Sequence, residues 1–578
     1  MEFRNKVLAH VRTIYPAEDA EAITKQLTLA MGVTDVSRPE VKSHRNLWTE
    51  RDALLVTYAN TISEEGVSPL ATLRNFIRNR LGGLISGVHV LPFSPYSSDD
   101  GFAVINYREV NQGFGDWHDI IALSRETRVM ADLVLNHVSS RSNWFDQFKR
   151  GQPPGNEFFI SIEPTADLSS VVRPRTTPLL TAVDTIDGKK NVWCTFGPDQ
   201  VDLNFENPIV LAEMISILRF YLDQGIDIFR LDAVAFLWKV LGTPCINLPQ
   251  THEIVRLLRT LVEQVNPNAW IITETNLPNQ ENISYFGNAN EAHLIYNFSL
   301  PPLLLHGLLK GTSAFLNRWM MSMPPARDGT AYLNFLASHD GIGLRPAEGI
   351  LDDLELDFLV DAVLERHGRV SWRADSGSNR AYELNISLFD ALGEIHGAED
   401  PHQITKFLLA HTIMLGLEGV PAIYIHSLLG TRSDHHRAQM SGHNRAINRH
   451  LWNAQELDKA LSDTARHHHQ ILDGLLNLLR IRRAQPAFHP NATQYTLFLG
   501  DALFAFWRQS RDREQSIFCL HNLTNKSKTV AVSSINLIAG QTWFDLLGRK
   551  LISGDASQIK LLPYQAVWLT NWAESTEI

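Results

Sequence analysis

Short apolar runs that end in polar residues, each followed by a helical stretch, recur along most of this chain. Eight of them read as strands: 54–60 (LLVTYAN), 87–93 (GVHVLPF), 128–137 (RVMADLVLNH), 226–233 (IDIFRLDA), 270–276 (WIITETN), 293–299 (HLIYNFS), 332–340 (YLNFLASHD) and 420–426 (VPAIYIH). Their cores are nearly continuous in apolar residues, the texture of strands covered on both faces. With helices between them they predict a closed parallel α/β barrel, the (β/α)8 or TIM-barrel class. Polar residues gather where several runs end: Asn136 and His137, Asp232, Glu274, His339 and Asp340. The C-terminal rim is where barrels of this kind build their active sites.

The barrel is expected over 51–485, with two gaps too long for one helix. The first, 138–203, contains QPPG, RPRTTP and DGKK and reads as a small domain inserted over the barrel mouth. The second, 341–401, reads as another insertion with a mobile loop. From 486 to 578 the texture changes to short alternating strands (TQYTLFLG, ALFAFWRQ, SIFCLHNL, AVWLTNW), an antiparallel β domain. Residues 1–50 read as helical material packing on the barrel. The most apolar stretch, 407–430, is interrupted by His411, Glu418 and Pro421. It predicts a buried helix plus a strand, not a membrane span.

Composition narrows the class further. The 578 residues are 44% hydrophobic, enough to bury a large core and to exclude a disordered chain. Net charge is −11, which argues against nucleic acid or an anionic membrane as partner. The three cysteines, Cys194, Cys245 and Cys519, are far apart and odd in number. Neither a disulfide framework nor a thiolate metal site is expected, and a reducing, cytoplasmic setting is. No apolar signal segment opens the chain. A monomer or a homodimer fits equally well.

Three short motifs carry the candidate chemistry. In Phe229-Arg230-Leu231-Asp232-Ala233 the arginine and the aspartate share a strand face. A neighbouring guanidinium keeps a carboxylate ionised and oriented, as a nucleophile requires, although a purely structural buried pair has the same signature. One strand later comes Thr273-Glu274-Thr275, whose carboxyl would keep its proton through repulsion from Asp232. One ionised and one protonated carboxyl, roughly 5–5.5 Å apart, is the arrangement of a retaining glycosidic mechanism. The third motif, Ser338-His339-Asp340-Gly341, would grip sugar hydroxyls and favour positive charge at the anomeric carbon.

In this order and on these strands, Asn136-His137, Arg230-x-Asp232, Glu274 and His339-Asp340 resemble the α-amylase superfamily, glycoside hydrolase family 13. The likeness covers nearly the whole chain. RLDAVAFLWKVLGTPCI, NFSLPPLLLH, SHDGIG and NRAINRH are similar to the sucrose phosphorylase subgroup, and FLASHDGIGL and GVPAIYIHSLLG to its glucosylglycerol and glucosylglycerate phosphorylases.

The resemblance implies Asp232 as nucleophile, Glu274 as general acid/base and Asp340 as transition-state stabiliser. It implies that Asp99 and Arg445 close the pocket behind a single glucosyl ring. Phe102 and Phe196 would make apolar contacts, and Gln200, His137, His339 and Arg230 would complete the donor site. Arg175, in Arg173-Pro174-Arg175, would face phosphate on the acceptor side, although a solvated basic turn looks the same. Arg345, in the loop after Asp340, would be a second acceptor-side cation, partly neutralised by Glu348, which favours a neutral glycerol aglycone over glycerate.

The expected reaction is a cofactor-free phosphorolysis of a small α-glucoside, with inorganic phosphate as co-substrate and α-glucose 1-phosphate as product. Sucrose or sucrose 6′-phosphate phosphorolysis, a hydrolase or transglucosidase, and a non-catalytic scaffold remain as alternatives. Trp238 and Lys239 either line the entrance or pack. Asp434-His435-His436 and His467-His468-His469 are expected to hold no metal, since neighbouring histidines on one polar helix do not converge easily. Neither a Gly-rich phosphate loop nor a DxDxDG calcium loop is present in the sequence.

Overall fold

The structure, a computed structural model, describes residues 2–33, 44–375, 378–393, 400–535, 543–552 and 558–572. Eight strands close a barrel: β1 (Leu54–Thr57), β2 (Gly87–Val90), β3 (Arg128–Val134), β4 (Ile228–Asp232), β5 (Trp270–Thr273), β6 (Leu294–Tyr296), β7 (Ala331–Asn334) and β8 (Val420–Tyr424). Each lies beside its neighbour in chain order, and β8 returns to β1. All eight expected strands are present, in the expected closed class.

They are shorter than expected because the polar residues at their ends leave the ladder. β5 stops one residue before Glu274, and β7 stops well before Asp340. The β3–β4 register sets Val134 opposite Asp232, and the β4–β5 register sets Arg230 opposite Ile272. Side chains that leave the apolar ladder at this level therefore meet over one mouth.

Helices supply the outer layer. Pro208–Asp223 starts where Asn207 accepts from the Ile209 N–H and proline occupies the first turn, the usual start signal. The N-terminal helices Glu2–Ile14 and Ala20–Ala30 pack outside the barrel, the first against Pro249–Val265 and the second against Pro208–Asp223. His10 Nδ1 lies 2.6 Å from Glu253 there. The stretch 407–430 is a buried helix (Gln403–Gly416) followed by β8, as expected. Among the described residues no helix is long and apolar enough to cross a membrane.

The first insertion opens directly on the rim, where strand His137–Ser139 pairs antiparallel with Gln200–Asp202. The second forms a three-stranded sheet of Ile342–Gly343, Ser378–Asn385 and Arg369–Asp375. Residues 376–377 and 394–399 of this insertion lie outside the described residues. The segment just after Asp340 is pinned: Ile342 pairs with Leu384 and Gly343 with Glu383. A Cβ at Gly341 would lie 2.6 Å from Glu383 Cγ, and one at Gly343 would lie 2.9 Å from Asn276. These glycines serve close packing, not movement.

The C-terminal region is a six-stranded antiparallel sheet with its own core around Phe518, Leu520, Val567 and Leu569. Phe504 and Phe506 join the barrel core, and buried Arg508 spans the junction, donating to the carbonyls of Gly416 and His489 at 2.7 Å each.

Candidate active site

The site is built outward from Arg230. Its Nη1 donates to Asp232 Oδ1 at 2.6 Å and also to Asp132 on β3. Asp132 in turn meets His89 Nε2 on β2 at 2.7 Å. His89, Asp132, Arg230 and Asp232 thus form one buried polar line across three adjacent strands. Burial alone would raise Asp132, but His89 and Arg230 outweigh it and hold the carboxyl down to about 2. His89 and Asp132 were not anticipated. Their signal was a lone polar residue inside each of two apolar strands, GVHV and RVMADLV.

Glu274 approaches from the end of β5. Its Oε2 accepts the Ala233 N–H at 3.2 Å and lies 3.8 Å from Arg230 Nη2. Ala233 has φ +51°, a left-handed conformation uncommon for a residue with a Cβ. The backbone turns sharply after Asp232 and presents its N–H to the second carboxyl. Burial pushes both Asp232 and Glu274 upward, while Arg230 pulls both down. The Glu274 charge also pushes Asp232 up, so the two titrations influence each other. Arg230 bonds Asp232 directly at 2.6 Å but stays 3.8 Å from Glu274, so its pull falls mainly on Asp232.

Asp340 is held differently. Its Oδ1 lies 2.5 Å from Arg445 Nη1, 3.6 Å from His339 and 3.9 Å from Arg449. Burial raises its carboxyl, yet Arg445, His339 and Arg449 hold it far below the usual range. Arg445 is itself clamped by Glu383, Nε to Oε1 at 3.0 Å and Nη2 to Oε2 at 2.6 Å. Glu383 is a fully buried residue of the second insertion that sequence reading passed over. Arg445 shares the pocket with Asp99 as expected, but its hydrogen bonds go to Glu383.

The turn at Ser98-Asp99-Asp100 is backbone-strained, with φ +54° at Asp99 and +47° at Asp100. It divides two carboxylates: Asp99 lines the pocket near Gln200 Nε2 (3.4 Å), and Asp100 pairs with Arg449 at 2.6 Å. Phe102 stacks on His339, rings 5.2 Å apart and nearly parallel. His137 contacts Phe196, the Phe102 carbonyl and Gln200.

One pocket is lined by Asp99, Phe102, His137, Arg175, Phe196, Gln200, Arg230, Asp232, Glu274, His339, Asp340 and Arg445. Every site residue expected from the sequence is there except Arg345. The edge strand Ile342–Gly343 leads the chain away from the pocket before Arg345 is reached, and Glu348 pairs with Arg373 at 2.8 Å. Asn276 and Tyr382 also line the pocket, Asn276 Nδ2 donating to Tyr382 Oη at 3.4 Å. The Arg175 guanidinium lies 5.8 Å over the Tyr382 ring.

The remaining polar candidates are structural. Lys239 is buried between Asp202 and Asn136, 2.7 Å from each, and Trp238 packs against Tyr15. His467, His468 and His469 each meet a backbone carbonyl, and Asp434 meets His450 at 2.7 Å. Among the described residues no three candidate ligands converge on a point suited to a metal ion.

A closed eight-stranded barrel with three carboxyls over its C-terminal mouth defines the class. Residues 81–327 match the Alpha-amylase family, described as alpha amylase, catalytic domain. The chain belongs to that family, glycoside hydrolase family 13. It is 43% identical over 531 residues to a glucosylglycerate phosphorylase of Spirochaeta thermophila, covering 90% of each chain. It is 42% identical over 570 residues to a glucosylglycerate phosphorylase of Allomeiothermus silvanus, covering 98% of this chain and 99% of that one. The sucrose 6F-phosphate phosphorylase from Thermoanaerobacter thermosaccharolyticum has the same fold, with TM-score 0.72 at 22% identity over 89% of this chain and 98% of that one.

Proposed function

We propose that this chain is a retaining phosphorylase that moves a glucosyl unit between glycerate and inorganic phosphate. Asp232 attacks the anomeric carbon of the α-glucoside while Glu274 protonates the departing oxygen. Phosphate then attacks the covalent glucosyl-enzyme, Glu274 takes its proton, and α-glucose 1-phosphate leaves. Two inversions amount to retention. Asp340, kept ionised by Arg445, favours the positive charge that develops on the ring between the two steps. Asp99, His137, His339 and Arg445 hold ring hydroxyls, and Phe102 and Phe196 cover apolar faces of the sugar. No step calls for a cofactor, and the three cysteines, buried and unpaired, fit a cytoplasmic setting.

One observation carries the choice of aglycone. Arg230 and Arg445 are committed to carboxylates, whereas Arg175 lines the same pocket with no ion-pair partner among the described residues. An acceptor subsite with an uncommitted guanidinium suits an anion, and both glycerate and phosphate are anions. The argument for neutral glycerol lapses, because Glu348 is engaged by Arg373. Two relatives above 40% identity, each a glucosylglycerate phosphorylase, support the same choice.

The test is to incubate the enzyme with phosphate and each of glucosylglycerate, glucosylglycerol, sucrose and sucrose 6′-phosphate, and to measure glucose 1-phosphate. Glucosylglycerate is expected to lead glucosylglycerol by about tenfold or more in kcat/KM, as for one charge-assisted contact. Equal sugar release without phosphate would make the protein a hydrolase, and a preference for sucrose would move it to another branch.

A further inference from the structure

Outside the glucosyl pocket lies a wider chamber, with an empty volume of about 1550 Å³ including open solvent. It shares Asp99, Arg175, Phe196, Gln200 and Arg445 with the pocket, so it is the antechamber through which reactants pass. Its charges divide unevenly. Arg449 is neutralised by Asp100, and Arg445 by Asp340 and Glu383. Asp199 is already served by the hydroxyls of Ser97, Ser98 and Ser140. Two lining cations, Arg175 and Arg437, have no ion pair among the described residues; neither have the lining carboxylates Asp99, on the side shared with the pocket, and Asp199, beside its three hydroxyls.

Arg437 has a second peculiarity. It sits on the helix His435–Ser441, and its Nη1 is buried without a hydrogen-bond partner among the described residues. A buried guanidinium N–H left unpaired is costly, and native structures seldom tolerate one unless a ligand or water completes it. Ser371 and Asn444, which also line this chamber, offer further polar groups to an oxyanion. The chain as a whole carries −11 and repels anions, so an anionic co-substrate gains from a local cation at the entrance.

From these observations we infer that the antechamber is a docking site for a phosphate dianion, held by Arg437 before it passes to Arg175. Free phosphate and the phosphoryl end of departing glucose 1-phosphate share this chemistry. The inference rests on the phosphorylase reading above and adds a separate, outer site to it.

The experiment compares wild type with Arg437→Gln and Arg437→Lys, using the neutral glucosylglycerol as donor so that only phosphate is charged. In Arg437→Gln, kcat/KM for phosphate is expected to fall about tenfold at low ionic strength, and the deficit to shrink as salt screens the entrance. The kcat at saturating phosphate is expected to hold, because docking precedes chemistry, and Arg437→Lys should recover part of the loss. In the reverse direction, an equal rise in KM for glucose 1-phosphate would show that the product uses the site too, and an unchanged KM would restrict it to free phosphate. A phosphate kcat/KM within twofold of wild type overturns the site. So does an equal fall in kcat/KM for the neutral donor, which would make Arg437 structural. If wild type releases no glucose 1-phosphate from any donor, the phosphorylase reading itself has failed, a result distinct from either.

Discussion

Arg230 touches Asp232 at 2.6 Å and comes no closer than 3.8 Å to Glu274, so a single guanidinium treats two neighbouring carboxyls unequally. In the proposed mechanism that inequality would separate nucleophile from acid. Asp232→Asn is expected to lower phosphorolysis by several orders of magnitude while the protein stays folded. Glu274→Gln should slow poor leaving groups far more than activated aryl glucosides, which need little proton assistance. Steady-state rates on a leaving-group series check both. Retention of more than about a tenth of the wild-type rate by Asp232→Asn would remove it from the nucleophile's role.

The same pair sets the pH profile. Glucosyl-enzyme formation needs Asp232 ionised and Glu274 protonated. Burial raises Glu274, so its proton persists above the range of a free carboxyl, and the rate falls on the alkaline side as it is lost. The acidic limb belongs to protonation of Asp232. In Glu274→Gln the alkaline limb should vanish while the acidic limb remains, measured as kcat/KM against pH with an activated glucoside.

Arg175→Ala should raise the phosphate KM and divert glucosyl-enzyme to water. One charge-assisted contact is worth about 1.5–3 kcal/mol, or roughly tenfold to a hundredfold in phosphate use. Competing phosphate against water and measuring glucose 1-phosphate relative to glucose reads this directly. An unchanged ratio would place the phosphate contact elsewhere.

Asp132 is a stability prediction as well as a catalytic one. Its folded carboxyl is depressed to about 2, so its stabilising contribution is complete above the ordinary carboxylate range, near pH 4. That contribution is lost as pH falls toward 2. Asp132→Asn leaves the buried Arg230 short of one partner and should cost about 3–5 kcal/mol. Chemical denaturation at pH 7 and at pH 3 is the check, with the variant showing a shallower acid dependence than wild type.

Gly341→Ala tests the seam beside Asp340. The added methyl would run into the Leu384 backbone carbonyl and meet Glu383 Cγ at 2.6 Å, so the strand that carries Glu383 must shift away from Arg445. Donor kcat/KM should fall by about tenfold or more, and Tm should drop as well, since overpacking against backbone costs about 1–3 kcal/mol. Equal activity would mean that the hairpin yields without disturbing Arg445.

The barrel was legible in the sequence because strands covered on both faces are almost uniformly apolar, so each of the eight stands out from its flanks. Their ends were overextended, because Glu274 and Asp340 sit in rim turns that continue the strand in sequence but not in hydrogen bonding. Asp232 and Arg230 were legible as two residues on one face. Asp132, His89 and Glu383 were not, because each is one polar side chain whose meaning depends on a partner far along the chain. Arg345 was misjudged for the converse reason: five positions from Asp340 in sequence, it is carried off by an edge strand.

That edge strand has a consequence for how such an enzyme diversifies. Tyr382 lines the pocket and Glu383 clamps Arg445 from a hairpin paired with Ile342 and Gly343, whereas Asp232 and Glu274 stand at the ends of β4 and β5. Two of the three pocket carboxyls thus stand at ends of barrel strands, while the support for the third, through Glu383 and Arg445, comes from an appendage. Exchanging that hairpin would therefore disturb Asp340 through Glu383 and Arg445, as well as the pocket wall at Tyr382.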